Sequence, residues 1–194
     1  MTNTLPLFLA VKNNHIKATE LLLEHKANPN IIIDGTTPLH IASDHGYLDI
    51  MRLLLDYGAS LTIPNSFDAL SIHCAIAGGI KAFKLLLECG ADINSKKGGF
   101  DMVQMIVAND TSADILKWFI DMSVDINVKA YYNAPLLHIA AFTNNINVAT
   151  TLIDHGIDIH HRTNNISAYD MGMCYKAKGR DVANLLHRLM NIST

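Results

Sequence analysis

One short pattern recurs along the whole chain: a mostly apolar triplet near the end of a helix-like segment. Its last residue falls at Leu23, Leu55, Leu87, Ile120, Ile153 and Leu186, which gives intervals of 32, 32, 33, 33 and 33 residues. A period of this length predicts a repeat protein, because each unit buries its apolar face only by stacking on the next one. The approximate unit boundaries are 1–33, 34–66, 67–98, 99–131, 132–164 and 165–194, and together the units form one domain.

Each triplet is followed, three residues later, by a signal that ends the helix. Gly58, Gly90 and Gly156 hold this place in three copies, where the left-handed backbone conformation of glycine terminates a helix. Lys26 and Ser123 stand at the same place in the first and fourth copies and, less clearly, Leu189 in the sixth. The segments that come next, such as KANPN, GASLT and GADIN, predict short turns with extended backbone rather than helix.

A histidine motif opens the first helix of three copies. The stretches TTPLHIA, LSIHCA and PLLHIA place His40, His73 and His138 at intervals of 33 and 65 residues, and the copy around DMVQMIVA lacks the histidine. Proline suits the first turn, where its missing N–H has no intrahelical partner, and a preceding threonine can accept from a free backbone N–H. A neutral imidazole both donates and accepts, so it can bridge stacked units.

The two markers disagree by one residue in the third copy. The triplet interval there is 32, whereas the histidine interval is 33. A one-residue deletion between Gly79 and Leu85 would reconcile them, although other alignments fit nearly as well. The Gly78-Gly79 and Gly98-Gly99 pairs are interpreted as repeat turns, since neither follows a buried strand.

The period and the TPLH motif together resemble the ankyrin repeat family. The second copy, DGTTPLHIASDHGYLDIMRLLLDYGAS, matches best, and the first and last copies are divergent, as end caps of a solenoid must be. The resemblance implies an all-α ankyrin-repeat solenoid of about six helix-turn-helix units connected by β-turn fingers. In this family the motif threonine caps the helix and the histidine bonds to it and to neighbouring backbone. The resemblance therefore implies structural roles for Thr37, Pro38, His40, His73 and His138.

Nothing in the sequence indicates catalysis. Three motif histidines acting as catalysts would require three similar sites, yet none has a nucleophile or carboxylate at a matching position. Phosphate loops, nucleophile elbows and metalloprotease motifs do not occur in the sequence. The sequence predicts that the protein is not an enzyme and has no catalytic residues.

Metal and cofactor binding are not expected either. His155, His160 and His161 lie close in sequence, but no carboxylate or thiolate is evident to complete a site. Cys74, Cys89 and Cys174 are odd in number and lack CxxC spacing, which is typical of reduced thiols. We therefore predict no metal site and no cofactor.

Composition narrows the class of partner and the location. The net charge of −3, without a run of Lys or Arg, disfavours nucleic acid. No apolar run reaches the roughly 18 residues that a membrane-spanning helix requires. The LPLFLAV stretch near the start follows an uncharged MTNT and precedes no A-x-A site, so it does not resemble a signal peptide. We expect a soluble monomer in the cytoplasm, or in a host cytoplasm if the protein is a pathogen effector.

Unusual side chains occupy the turns where a partner would bind. Asp34, Phe67 and Tyr132 each lie six residues before a motif histidine, and Phe100 falls close to that place in the fourth copy. Aromatic residues and arginine dominate interface hot spots. Packing of an individual ring onto the neighbouring repeat stays open as an alternative. The predicted partner-binding residues are Ile32, Ile33, Asp34, His45, Phe67, Phe100, Tyr131, Tyr132, Phe142, Asn144, His161 and Arg162.

The predicted function is binding of a protein or peptide partner by this surface. The abundance of Asn, Ile and Lys is similar to that of ankyrin proteins from intracellular bacteria and large DNA viruses, many of which act on host proteins. A eukaryotic-type adaptor or inhibitor subunit is the alternative. The resemblance also implies a second hypothesis, that the chain is a substrate of an asparaginyl hydroxylase, with target positions Asn30, Asn94 and Asn127.

Overall fold

The computed structural model describes residues 4–109, 113–122, 135–174 and 179–192 of the chain. It divides into two compact units, residues 1–98 and 99–194, which are described in turn. Both are built mainly from pairs of short helices, as the sequence predicts.

The first unit consists of three helix pairs. They are α1 (Thr4–Lys12), α2 (Ile16–Glu24), α3 (Pro38–His45), α4 (Leu48–Asp56), α5 (Ser71–Gly78) and α6 (Ile80–Glu88). The first helices of the pairs, α1, α3 and α5, pack side by side in chain order, and so do the second helices, α2, α4 and α6. We call the connection from a second helix to the next first helix a finger. The first finger is residues 25–37 and the second is residues 57–70.

The second unit repeats this arrangement and adds a small hairpin. Its elements are α7 (Met102–Ala108), α8 (Ala113–Asp121), α9 (Leu136–Thr143), α10 (Ile146–Asp154), β1 (Arg162–Thr163), β2 (Ile166–Ser167), α11 (Ala168–Met173) and α12 (Asp181–Ile192). The first helix α9 contacts α7 and α11, and the second helix α10 contacts α8 and α12. The antiparallel strands β1 and β2 lie in the finger formed by residues 155–167.

The core of each unit lies between its first and second helices. Leu39 and Ala42 of α3 face it, as do Ile50 and Leu54 of α4, and all four are at most 1% exposed. The middle member of a triplet is fully buried in three copies, as Leu54, Leu86 and Leu152. Burying one such leucine stabilises the fold by about 2 kcal/mol, which explains why the triplet is the most regular marker in the sequence.

Four of the predicted helix-ending residues adopt positive φ, whereas the sixth-copy position Leu189 lies inside α12 and does not end a helix. Lys26 has φ of 63°, and Gly58, Gly90 and Gly156 have φ of 85°, 92° and 80°. This prediction is confirmed at these four positions, whereas Ser123 lies outside the described residues. Lys26 adopts the left-handed region without being glycine, a conformation that is less favourable for a residue with a Cβ.

The missing residue of the third copy lies in the linker between α5 and α6. Two residues, Gly46 and Tyr47, separate α3 from α4, but only Gly79 separates α5 from α6. Gly79 has φ of 88° and ψ of 172°, a conformation essentially restricted to glycine. The deletion therefore falls at the start of the predicted interval from Gly79 to Leu85.

Candidate protein-binding surface

The first finger ends in a tight two-residue hairpin. The backbone N–H of Ile33 donates to the Thr36 carbonyl at 2.9 Å, and the N–H of Thr36 donates back at 3.0 Å. Asp34 and Gly35 form the tip with φ of 50° and 72°. Positive φ at both central residues is typical of a type I′ turn. Asp34 is exposed at this tip and Ile32 is 57% exposed beside it, while Ile33 is half-buried.

The second finger holds Phe67 out into solvent. The side-chain oxygen of Asn65 accepts hydrogen bonds from the backbone N–H groups of Phe67 at 2.9 Å and Ala69 at 3.0 Å. The loop is therefore ordered by Asn65 and the backbone, without the aromatic ring. Phe67 is 76% exposed, more than any other large apolar side chain in the described part of the chain. The alternative that this ring packs back onto the neighbouring repeat does not apply.

The tips of the first two fingers touch each other. The N–H of Ser66 donates to the carbonyl of Gly35 at 2.8 Å. A Cβ on Gly35 would lie 2.6 Å from Cβ of Ser66, so glycine is needed here both for its positive φ and for this close approach. Asp34 precedes Gly35 and Phe67 follows Ser66, so the bonded pair brings the two predicted tip residues together.

His45 lies at the end of α3, on the same unit as these tips. Its Nδ1 donates to the carbonyl of Ile41 at 3.0 Å, and its ring stacks obliquely on Tyr47 with centroids 5.2 Å apart. The imidazole of His45 and the carboxylate of Asp44 are both about half exposed, at 51% and 54%. His45 is thus available on an exposed edge of a first helix.

The predicted site residues of the second unit are engaged differently. Phe100 is 42% exposed. It directly precedes Asp101, the residue before α7, so its position corresponds to Thr36 of the first finger and not to the tip residue of that finger. The half-buried His161 ring faces His138 with centroids 6.4 Å apart. Arg162 donates to the Asn165 carbonyl at 2.8 Å. Phe142 is half-buried in α9, and Tyr131 and Tyr132 lie outside the described residues.

Asn144 serves the last helix instead of facing solvent. Its amide nitrogen donates to Oδ2 of Asp181 at 2.7 Å, and its oxygen accepts from the N–H groups of Asp181 and Val182 at 2.7 and 3.2 Å. These bonds satisfy backbone donors at the start of α12 that have no intrahelical partner. Since both ends of the amide are occupied, Asn144 is poorly placed to contact a partner.

His40 links its own helix to the next finger. Nε2 lies 2.9 Å from the carbonyl oxygen of Ala69, and Nδ1 lies 2.7 Å from the Thr37 hydroxyl. A carbonyl only accepts, so Nε2 carries the proton and the Thr37 hydroxyl donates to Nδ1. The Thr37 hydroxyl therefore donates to the imidazole, and Thr37 and His40 together form the capping box that begins α3. Pro38 is buried at the first turn of α3.

The two other motif histidines vary this arrangement. His73 accepts at Nδ1 from the Leu70 N–H at 2.9 Å, and its Nε2 lies 3.1 Å from the Ser95 hydroxyl. His138 has Nε2 3.0 Å from the Ile166 carbonyl. Its buried Nδ1 has no partner among the described residues, because Pro135, which holds the place of Thr37, has neither an N–H nor a hydroxyl.

Burial lowers the pKa of all three motif histidines. Desolvation is the main cause for His40, His73 and His138, and it outweighs the opposing hydrogen bonds to the backbone carbonyls. The rings are therefore held neutral and tied into the fold, without an exposed edge for substrate. Burial likewise raises the pKa of the Cys74 thiol to about 11, which makes it a poor nucleophile.

Two residues with an equivalent role were missed from the sequence. Gln104 is 1% exposed and accepts from the Asp101 N–H at 2.8 Å, three residues before it. Asp170 accepts from the N–H and the hydroxyl of Ser167 at 2.8 and 2.7 Å. Both stand three residues after the helix cap, like the histidines. The capping-box pattern in DMVQ and SAYD was the signal that could have found them.

The predicted hydroxylation positions differ in their surroundings. The Asn30 amide donates to the Gly58 carbonyl at 2.9 Å and accepts from the Ser60 N–H at 2.7 Å, so it bridges the first two fingers. Asn94 is exposed, and its side chain bonds to no described residue of its own unit. Asn127 lies outside the described residues.

Two properties of the described residues bear on metal binding and on membrane insertion. Within residues 4–109, 113–122, 135–174 and 179–192, no group of three or more His, Cys, Asp or Glu is arranged to hold a metal ion. None of the helices in that part of the chain combines the length and the apolar character that crossing a bilayer requires.

Comparisons with known proteins agree with this architecture. A family model for ankyrin repeats (3 copies) matches residues 2–65 and 70–163. The crystal structure of the human ASB11 ankyrin repeat domain superposes with a TM-score of 0.71, covering 93% of this chain and 81% of that one at 22% identity. That likeness supports the predicted ankyrin-type fold, and the fold alone.

Several curated proteins are similar in sequence. A putative ankyrin repeat protein of Rickettsia bellii is 33% identical over 45% of this chain and 48% of its own length. Ankyrin repeat and SOCS box protein 2 of Homo sapiens is 41% identical over 44% of this chain and 14% of its own length. The putative ankyrin repeat protein FPV115 of fowlpox virus is 30% identical over 73% of this chain and 25% of its own length. The chain thus spans about half or less of the length of these relatives.

Proposed function

The chain belongs to the ankyrin repeat family, whose repeats are protein-interaction modules, and we propose that it acts without catalysis by binding a protein or peptide partner. The proposed surface consists of the finger tips and the exposed ends of the first helices. The observation that carries this proposal is Phe67, which is 76% exposed at a tip.

An exposed ring at this place has no evident structural purpose. Fingers are solvated connections, where polar residues are the norm, and the second finger is ordered by Asn65 rather than by Phe67. Ile32 adds a second exposed apolar side chain on the adjoining finger. Apolar and aromatic side chains that project from a rigid scaffold are characteristic of binding surfaces.

The proposed contact residues are a subset of the predicted ones, chosen by their exposure and position in the first unit. Ile32, Asp34, His45 and Phe67 form the part of the surface that belongs to the first unit. Asn144 is left out because it caps α12. The division of the chain into six units with the predicted boundaries is part of the same proposal.

The test replaces tip residues and compares them with a matched position elsewhere. Phe67→Ser and Ile32→Ser should each abolish capture of partners from a lysate, with unchanged helical circular dichroism. Leu21→Ser on α2 is the control, because Leu21 is 56% exposed and Ile32 is 57% exposed. Capture that survives both tip substitutions, or that is lost equally in the control, would reject the proposed surface.

We further propose that the partners are host proteins and that the chain acts in a host cytoplasm. The relatives from Rickettsia bellii and fowlpox virus support this source. The human relative supports the alternative, a eukaryotic-type adaptor or inhibitor subunit. Capture from a eukaryotic lysate but not from a bacterial one is expected under both. A source organism that grows inside host cells would favour the host-directed role, and a eukaryotic source would favour the adaptor or inhibitor subunit.

We propose that the chain acts as a monomer. Size-exclusion chromatography with light scattering should return one mass near 21.3 kDa at every concentration used. A mass that doubles on concentration would contradict this.

Modification by an asparaginyl hydroxylase is a second candidate, and the exposure of Asn94 favours it. We expect the enzyme to add oxygen to Asn94 before Asn30, because the Asn30 amide is held by two hydrogen bonds to the second finger. Peptide mass spectrometry after incubation reports the modified position. An unchanged intact mass would remove this hypothesis.

A further inference from the structure

We infer that the first two fingers bind a partner segment that carries an arginine beside an apolar residue. This inference rests on the proposed function and names the chemistry of the partner. The charges and the exposed apolar side chains that support it surround Phe67 and lie in the first unit.

Charge is distributed unevenly along the first unit. From residue 27 to residue 80 the sequence has five aspartates, at positions 34, 44, 49, 56 and 68, and a single cation, Arg52. Arg52 and two of the aspartates lie on α4, a second helix. The remaining three, Asp34, Asp44 and Asp68, lie on the fingers or on a first helix, and all three are exposed.

Two of these carboxylates flank the exposed apolar side chains. Ser66 donates to Gly35, so Asp34 and Phe67 stand on either side of the contact between the two tips. Asp68 follows Phe67 directly and has φ of 56°. Neither the Asp34 nor the Asp68 carboxylate forms an ion pair or a hydrogen bond with another described residue. The tips therefore offer an aromatic face, the aliphatic Ile32 and two carboxylates without a cation of their own.

Arginine matches this combination better than other side chains do. Its planar guanidinium stacks on an aromatic ring and donates to carboxylates at the same time. Lysine offers a point charge without the planar stacking group, and an acidic segment would be repelled. Lys26 lies at the start of the first finger, away from its tip, and Lys96 and Lys97 lie on the next finger, so the acidic surface is restricted to the tips of the first two fingers.

The experiment selects short random peptides on phage against the full chain and then measures binding of synthetic copies. We expect enrichment of peptides with arginine beside an apolar residue. Phe67→Ser should weaken their binding about tenfold or more. The double variant Asp34→Asn, Asp68→Asn should weaken it about fivefold, with less sensitivity to salt between about 0.05 M and 0.5 M NaCl. Replacing the peptide arginine by glutamine should weaken binding less in the double variant than in wild type, because only the stacking on Phe67 remains to be lost.

The other outcomes separate this inference from the proposed function. Enriched peptides that lack arginine but still require Phe67 would overturn the inference and leave the binding surface in place. Peptides that bind equally to wild type, Phe67→Ser and Ile32→Ser would overturn both. Failure to enrich any peptide would also overturn the inference, since a random library contains arginine beside every apolar residue. Leu21→Ser serves again as the control for unspecific loss.

Discussion

Nε2 of His40 lies 2.9 Å from the carbonyl oxygen of Ala69, which places one ring nitrogen of a first helix against the backbone of the next finger. The proton on Nε2 leaves Nδ1 as an acceptor for the Thr37 hydroxyl at 2.7 Å. A second proton on the ring would convert Nδ1 into a donor, which the Thr37 hydroxyl can accept but which would face the donating Thr37 backbone N–H at 3.3 Å. The geometry and the desolvation therefore favour the same neutral state.

Stability should decrease below neutral pH because the motif histidines titrate. The folded-state pKa values of His40, His73 and His138 are lowered by burial. The unfolded chain binds more protons below its ordinary histidine pKa of about 6.5, so unfolding becomes easier there. The three histidines contribute fully to the free energy of unfolding above about pH 6.5, and this contribution is lost as the pH falls from there towards their lowered pKa values in the folded state. Urea midpoints at about pH 7.5, 6.5 and 5.5 check this.

Glutamine supplies the matched control for that measurement. Gln104 already holds the histidine position in another copy, where its oxygen accepts from the Asp101 N–H. His40→Gln should keep a donor and an acceptor without a titrating group, and so reduce the pH dependence. The same replacement at His73 and His138 completes a triple variant. If its stability depends on pH as strongly as that of wild type, groups other than these three histidines cause the effect.

Pro135→Thr should stabilise the second unit by about 1 kcal/mol. The buried Nδ1 of His138 has no partner among the described residues, and threonine at position 135 would offer it an N–H and a hydroxyl, as Thr37 does for His40. This is the net value, because satisfying a buried unpaired nitrogen contributes about 1–3 kcal/mol and loss of the rigid proline offsets roughly 0.4–1 kcal/mol of it. Urea unfolding measures the difference in free energy.

A double-mutant cycle isolates the cause of that gain. In a His138→Leu background the same Pro135→Thr change has no ring nitrogen to satisfy, so it should be neutral or destabilising. If threonine stabilises both backgrounds equally, the unpaired Nδ1 is not the reason.

Much of the architecture could be predicted because repetition makes the same constraint visible several times. Leu54, Leu86 and Leu152 are buried at equivalent places, so the triplet kept its period through six copies. Gln104 and Asp170 escaped prediction since the motif was defined by residue type, whereas the fold requires only an acceptor three residues after the cap. A different side chain with the same function leaves no repeat to count.

The partner surface was less predictable because it depends on positions that vary between copies. The exposure of Phe67 follows from the local hydrogen bonds of Asn65, two residues away, which the period does not encode. Asn144 was assigned to the surface from its place after a first helix, but its role depends on Asp181, far along the chain. Long-range contacts of this kind are set by packing and not by sequence spacing.

Gly78→Ala should destabilise the first unit by about 3 kcal/mol, because overpacking at a backbone contact leaves little room to adjust. A Cβ on Gly78 would overlap the carbonyl oxygen of Ser43 and lie 2.9 Å from the Gly46 nitrogen. Gly58→Ala is the control, since Gly58 has φ of 85° and no atom lies within 4 Å of its added Cβ. The control should lose only about 1 kcal/mol from the left-handed conformation. Equal losses in urea unfolding would contradict a packing origin.

Asn144→Gly should loosen α12 while leaving the linker conformation intact. Asn144 has φ of 57°, which glycine adopts readily, so the change removes only the side chain that caps Asp181 and Val182. Loss of such a cap costs about 1 kcal/mol of helix stability. Amide hydrogen exchange should accelerate about fivefold in α12, if the helix opens locally by that free energy. Asn14→Gly is the matched control: Asn14 has φ of 55° in the linker after α1, and its side chain caps no helix in the described part of the chain. Faster exchange throughout the second unit, or the same change in both variants, would mean that Asn144 acts through the linker backbone and not through α12.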